Sequence, residues 1–137
     1  MTGVAFVSLP LLLIGAILLR AMVPLASHRH ESRWQAEEKA IELLRSWLTP
    51  EQDEQFKSGK GFEVIGCDTG TRYRITSSVG MMNIHELDEA GARVRIWCFV
   101  PVGGLPAGDA MLAQKIALET MERRALAVAN TTGPIYG

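Results

Sequence analysis

The chain has 137 residues, with 14 Lys and Arg against 15 Asp and Glu and a net charge of −1. That length holds one small domain, and that balance excludes both a strongly basic nucleic-acid binder and an acidic solvating tail. Two cysteines are too few to staple a secreted disulfide scaffold.

The charge is unevenly spread. The first 27 residues carry one charged side chain, Arg20, and Val4 to Leu25 is a run of 22 mostly apolar residues. A helix of that length spans roughly 33 Å, so residues 1–27 are expected to form an N-terminal transmembrane helix. A cleaved signal peptide fits less well, because MTG has no basic residue and Pro24 sits badly for cleavage. A buried core helix fits less well too, since the run is apolar on all sides. Arg20, Arg29 and Arg33 would lie at the membrane interface. By the positive-inside rule, the C-terminal domain is then cytoplasmic at a bacterial inner membrane and the N-terminus is outside. Cys67 and Cys98 would be free thiols there.

Residues 28–48 read as a juxtamembrane amphipathic helix. Trp34, Ile41, Leu44 and Leu48 form its stripe, widened by Ala40, Leu43 and Trp47. Thr49-Pro50-Glu51-Gln52 is a helix start, with a threonine cap and a glutamine at the reciprocal position. Four strands are expected next, at 62–65, 72–75, 82–87 and 93–99, and Gly91 should turn the second hairpin in the left-handed conformation. That register puts Met82 and Ile84 on one face with Val94, Ile96 and Cys98. Asn83, His85, Arg93, Arg95 and Trp97 take the other face. After the Pro101 to Gly108 loop, a helix should run from Asp109, its cap, to about Ala129. Met111, Leu112, Ile116, Leu118, Met121, Ala125 and Val128 form its apolar surface, and Asn130 ends it. The fold class is therefore α+β: a transmembrane helix, then an α-β-β-β-β-α domain over 49–130 with an antiparallel four-stranded meander, and a tail at 131–137.

The residues Glu42-Leu43-Leu44, Leu48-Thr49-Pro50-Glu51-Gln52, Gly61-Phe62-Glu63-Val64-Ile65-Gly66 and Tyr73-Arg74-Ile75 form a pattern. It continues through Asn83, Leu87-Asp88, Gly91, Cys98, Pro106, Asp109, Leu112-Ala113-Gln114-Lys115 and Ala129-Asn130. From about Ala40 to Asn130 the chain resembles a small domain found in many uncharacterised microbial open reading frames. The resemblance implies a domain boundary and transfers no catalytic residue.

Several constellations invite chemistry. Cys98 and His85 could make a nucleophilic pair, but the expected register separates them onto opposite faces. His28-Arg29-His30 lacks the second close ligand pair that zinc sites show. The Gly103 to Asp109 loop has neither the lysine nor the hydroxyl of a P-loop. No catalytic, metal or cofactor site is therefore assigned, and no cofactor is expected. The sheet's outer face carries Arg72, Arg74, Arg93 and Arg95 with His85 and Trp97, which reads as a docking surface for an acidic partner or anionic lipid headgroups. Its bland alternative is a solvated face, and stacking of single-stranded nucleic acid on Trp97 is not expected. The functional expectation is a non-catalytic, single-pass accessory or scaffolding subunit of a larger membrane protein complex, for instance a respiratory or photosynthetic one. A membrane-tethered regulatory domain that binds a small ligand or soluble protein is the alternative.

Overall fold

The computed structural model describes residues 31–77, 82–99 and 102–132. The expected membrane segment, Val4 to Leu25 with Arg20, lies outside them, as does Arg29. Among the described residues no helix is long and apolar enough to cross a membrane. The longest, Ala107–Ala127, has the length but carries Asp109, Lys115, Glu119, Glu122, Arg123 and Arg124. Among the described residues the expected architecture of a membrane helix plus a four-stranded domain is corrected to an α+β domain with three helices and a five-stranded antiparallel sheet. The chain divides into two compact units, Met1–Ala36 and Glu37–Gly137. Of the first unit only residues 31–36 are described; they are helical and include exposed Arg33.

In chain order the elements are α1 (31–46), α2 (Pro50–Lys57), β1 (Phe62–Ile65), β2 (Arg72–Ile75), β3 (Ile84–Leu87), β4 (Arg93–Cys98), α3 (Ala107–Ala127) and β5 (Asn130–Thr132). The sheet is a meander in the order β1-β2-β3-β4-β5. A fifth strand, β5, lies outside the expected four and takes in the first two residues of the expected tail: Cys98, Trp97 and Ile96 pair with Asn130, Thr131 and Thr132. Three polar residues, all exposed, show no alternation, so only the non-local partner makes them a strand.

α2 begins as its sequence dictates. Thr49 Oγ1 accepts from the Gln52 amide at 3.2 Å, and Gln52 Oε1 accepts from the Thr49 amide at 3.1 Å. The helix then serves the sheet. β1 is an edge strand, and its outward Glu63 amide and carbonyl would be open to another chain. Gln55 Oε1 accepts from that amide and Gln52 Nε2 donates to that carbonyl, both at 2.8 Å.

The second hairpin turns as expected, with Gly91 at φ 82° and Leu87 opposite Arg93. One residue later a β-bulge leaves Val94 without a partner and pairs Glu86 with Arg95, His85 with Ile96 and Ile84 with Trp97. The extra residue reverses every side chain beyond it. The expected register is therefore corrected: Ile84 shares its face with Trp97 and Arg95, not with Ile96 and Cys98.

The core lies on the Ile84 face, where Phe62, Val64, Tyr73, Ile75 and Ile84 meet Leu44 of α1 and Met111, Leu112 and Leu118 of α3. On α1, Ala40 and Leu44 are buried, whereas Leu43 and Trp47 of the expected stripe are exposed. On α3, Ile116, Met121 and Val128 are exposed, and Gln114, Lys115 and Glu122 take buried positions instead. The chain breaks helical geometry at Met121, with φ −151° and ψ 42°. Gln114 pays its way in the core through a reciprocal amide pair with Asn83 (2.7 and 3.0 Å) and a bond to the Phe99 carbonyl (2.8 Å).

α3 starts at Ala107, two residues before the expected cap. Pro106 has no side chain able to cap, and Glu37 of α1 reaches across to accept from the Ala107 amide at 3.0 Å. The approach is close because residue 108 is glycine: a Cβ there would run into the Ala40 carbonyl group and the Ile41 nitrogen. Gly108→Val is expected to destabilise the domain by about 2 kcal/mol or more, because backbone cannot yield as a flexible side chain does. A urea titration that left Gly108→Val as stable as the parent would refute the close approach.

Candidate functional site

The six residues expected to share a docking face are divided by the bulge. Arg72 and Arg74 of β2 oppose Leu87 and His85 of β3, on the sheet face away from the core. Arg93, exposed, pairs with Leu87 before the bulge and so stays with them. Arg95 and Trp97 lie on the core side. There the Trp97 indole donates to Glu86 at 2.8 Å, and the Arg95 guanidinium sits 3.5 Å from Glu86 and 5.3 Å from the Trp97 ring centroid.

The outer face is electrostatically coherent. Arg74 pairs with Glu63 at 2.6 Å, and Arg72 donates to the Asp88 carbonyl at 3.0 Å. Burial, together with Arg93 and Arg74, pushes the His85 imidazole below its ordinary pKa, although a backbone bond at Met82 acts the other way. The two arginines thus favour the neutral form of His85. Ile65, 54% exposed, and half-buried Ile96 add apolar surface to the same face.

A second constellation escaped the sequence reading. The Glu122 side chain is fully buried. One carboxylate oxygen accepts from the Asp68 and Thr69 amides at 2.7 and 2.8 Å. The other accepts from the Thr69 hydroxyl at 2.5 Å and the Tyr73 hydroxyl at 2.7 Å. Burial pushes the carboxyl pKa up, but the bonds from Thr69, Tyr73 and the two amides outweigh it and hold it below the usual range. Tyr73 moves the other way, raised by burial and by donating to Glu122.

The break in α3 completes the arrangement. A regular helix would bond the Glu122 amide to the Leu118 carbonyl. Here Cys67 enters between them: its amide donates to Leu118 at 3.0 Å, and its sulfur accepts from Glu122 at 3.5 Å. Asp68 likewise accepts from the Arg123 amide at 2.9 Å. Gly66 lets the loop come this near, since a Cβ there would overlap the Glu122 carboxylate. The sequence signal was present: Glu122 stands four residues after Leu118 and three before Ala125, on the buried side of α3.

Cys67, Asp68 and Glu122 offer ligand atoms within 4.8 Å of one another. Both Glu122 oxygens are already engaged, and Asp68 caps the Arg123 amide, so the cluster reads as a structural clasp. The Cys98 and His85 pair is corrected as well, because the bulge brings both onto the outer face. They are diagonal rather than opposite, roughly 7–8 Å apart along the backbone, and Cys98 is buried. At the Gly103 to Asp109 loop, the first α3 amide is taken by Glu37. His28 and His30 lie outside the described residues. No family model, curated protein or solved structure matches the chain.

Glu122→Gln is expected to cost about 1–2 kcal/mol at neutral pH, since an amide keeps some of these bonds but loses their charge assistance. Glu122→Leu should cost about 3 kcal/mol or more by orphaning the two loop amides. A lowered folded pKa gives stability that is present above the unfolded carboxyl value of 4.5 and is lost as pH falls through the folded value. The gap between the parent and Glu122→Gln should therefore close in that acid window, as followed by urea unfolding. A gap independent of pH would contradict the charged clasp.

Proposed function

We propose that the α+β domain is a non-catalytic accessory or scaffolding module docking on a larger assembly. The apolar stretch 4–25 in the sequence is the reason for placing that assembly among bacterial membrane protein complexes, with the domain on the cytoplasmic side. The observation that supports the reading is where the reactive groups are spent. Glu122 accepts from four donors, Asp68 caps a helix amide, and Cys67 bridges a broken helix bond. General acid–base catalysis needs a carboxyl within reach of a substrate and able to exchange protons with it, whereas Glu122 is buried and fully bonded. Cys67 and Asp68 are exposed, but each accepts from a backbone amide of α3. What the outer sheet face offers instead is a fixed array of arginine and isoleucine, residue types suited to a protein interface.

Purification of the tagged full chain from its native cells in mild detergent tests the proposal. A stoichiometric complex that survives gel filtration is the expected outcome, and a free monomer would overturn it. Cys98→Ser supplies a second check on the absence of thiol chemistry. Placing a hydroxyl at this buried position should lower stability by about 1–3 kcal/mol, while the folded fraction still enters the complex. Loss of a measurable activity at unchanged stability would favour an enzyme.

A further inference from the structure

The accessory reading leaves open which surface docks and what it meets. We propose that the outer face of β2, β3 and β4, carrying Arg72, Arg74, His85 and Arg93, docks an acidic protein segment and takes up a proton at His85 when it does. The proposal rests on the accessory reading of the preceding section.

Charge complementarity identifies the occupant. Three arginines share this face with a single carboxylate among their partners, Glu63 on Arg74. Arg72 is held by the Asp88 carbonyl, which leaves its positive charge uncompensated by that bond. Guanidinium forks on β2 and β4 match carboxylates in two-bond geometry, and Ile65 and Ile96 supply apolar contact beside them. An anionic lipid surface is the poorer match, because polybasic lipid sites gather about 4–8 basic residues. Single-stranded nucleic acid is poorer still, since Trp97, the ring expected to stack bases, lies on the opposite side with Glu86.

The groups facing His85 are Arg74 across the β2 ladder, Arg93 of β4 and the Met82 backbone, with Glu63 of β1 beyond Arg74. Carboxylates brought against this array offset the two guanidinium charges and stabilise the imidazolium form. Docking therefore binds a proton, and affinity rises as pH falls towards 6.

The test uses the isotope-labelled full chain in mild detergent, with poly-L-glutamate as the probe. The expected result is that NMR shifts cluster at Arg72, Arg74, His85 and Arg93 and spare the Trp97 indole. Affinity should tighten severalfold between about pH 8 and pH 6 and weaken with added salt. Arg74→Gln with Arg93→Gln should weaken binding by about tenfold or more, and Arg95→Gln should leave it unchanged. Shifts centred on Arg95 and Trp97, or an affinity indifferent to pH, would overturn the proposal. So would phosphatidylserine vesicles that perturb these residues when poly-L-glutamate does not. Native co-purification separates the two failures. A complex that forms equally well with the double variant removes this surface and keeps the accessory reading. Poly-L-glutamate binding here by a chain that purifies alone supports the surface and removes the accessory reading.

Discussion

One buried carboxylate organises the domain. Glu122 holds the β1–β2 loop and the end of α3 in a single network, and the irregular geometry of both segments is tied to it. The helix breaks at Met121 so that the carboxylate can meet Asp68, Thr69 and Tyr73. The loop supplies Cys67 and Asp68 to repair the backbone bonds that the break removes. A buried charge is tolerated only when its lone pairs are filled, and here all of them are. The network joins residues about 50 positions apart in sequence, so it also ties the first hairpin to the last helix before the chain returns to the sheet as β5.

A bulge of one residue does comparable work on the other hairpin. By leaving Val94 unpaired it sends Trp97 towards the core and keeps Arg93 with Arg72 and Arg74 outside. Arg95, carried to the helix side, finds Glu86 and the Trp97 ring. A basic stripe that looks uniform along the chain thus becomes two environments of different character. One is an internally neutralised cluster, and the other is a face on which three arginines share one carboxylate, Glu63.

The sheet's edges are handled differently at its two ends. At β1, two glutamines of α2 occupy the outward backbone groups of Glu63. At β5 the strand is only three residues long, which leaves little template for further pairing. The capping box that starts α2 therefore has a tertiary role, because Gln52 both closes the box and reaches the strand.

The sequence by itself determined what depends on near neighbours. Thr49 and Gln52 specified a helix start, Gly91 a left-handed turn, and alternation in 62–65 and 72–75 two half-buried strands with Arg72 and Arg74 on the outer side. Those are interactions between residues within a few positions, where geometry follows from bond rotation and side-chain reach. Tertiary structure decided the rest. Val94 as a bulge, Asn130–Thr132 as a strand and Glu37 as the cap of α3 each require a partner far along the chain. Glu122 is the clearest case. Its place on the apolar side of α3 was readable from spacing, but a lone glutamate there is as consistent with a frayed surface as with a core. Only the arrival of the 66–71 loop, with its two amides and a hydroxyl, makes burial of that charge favourable.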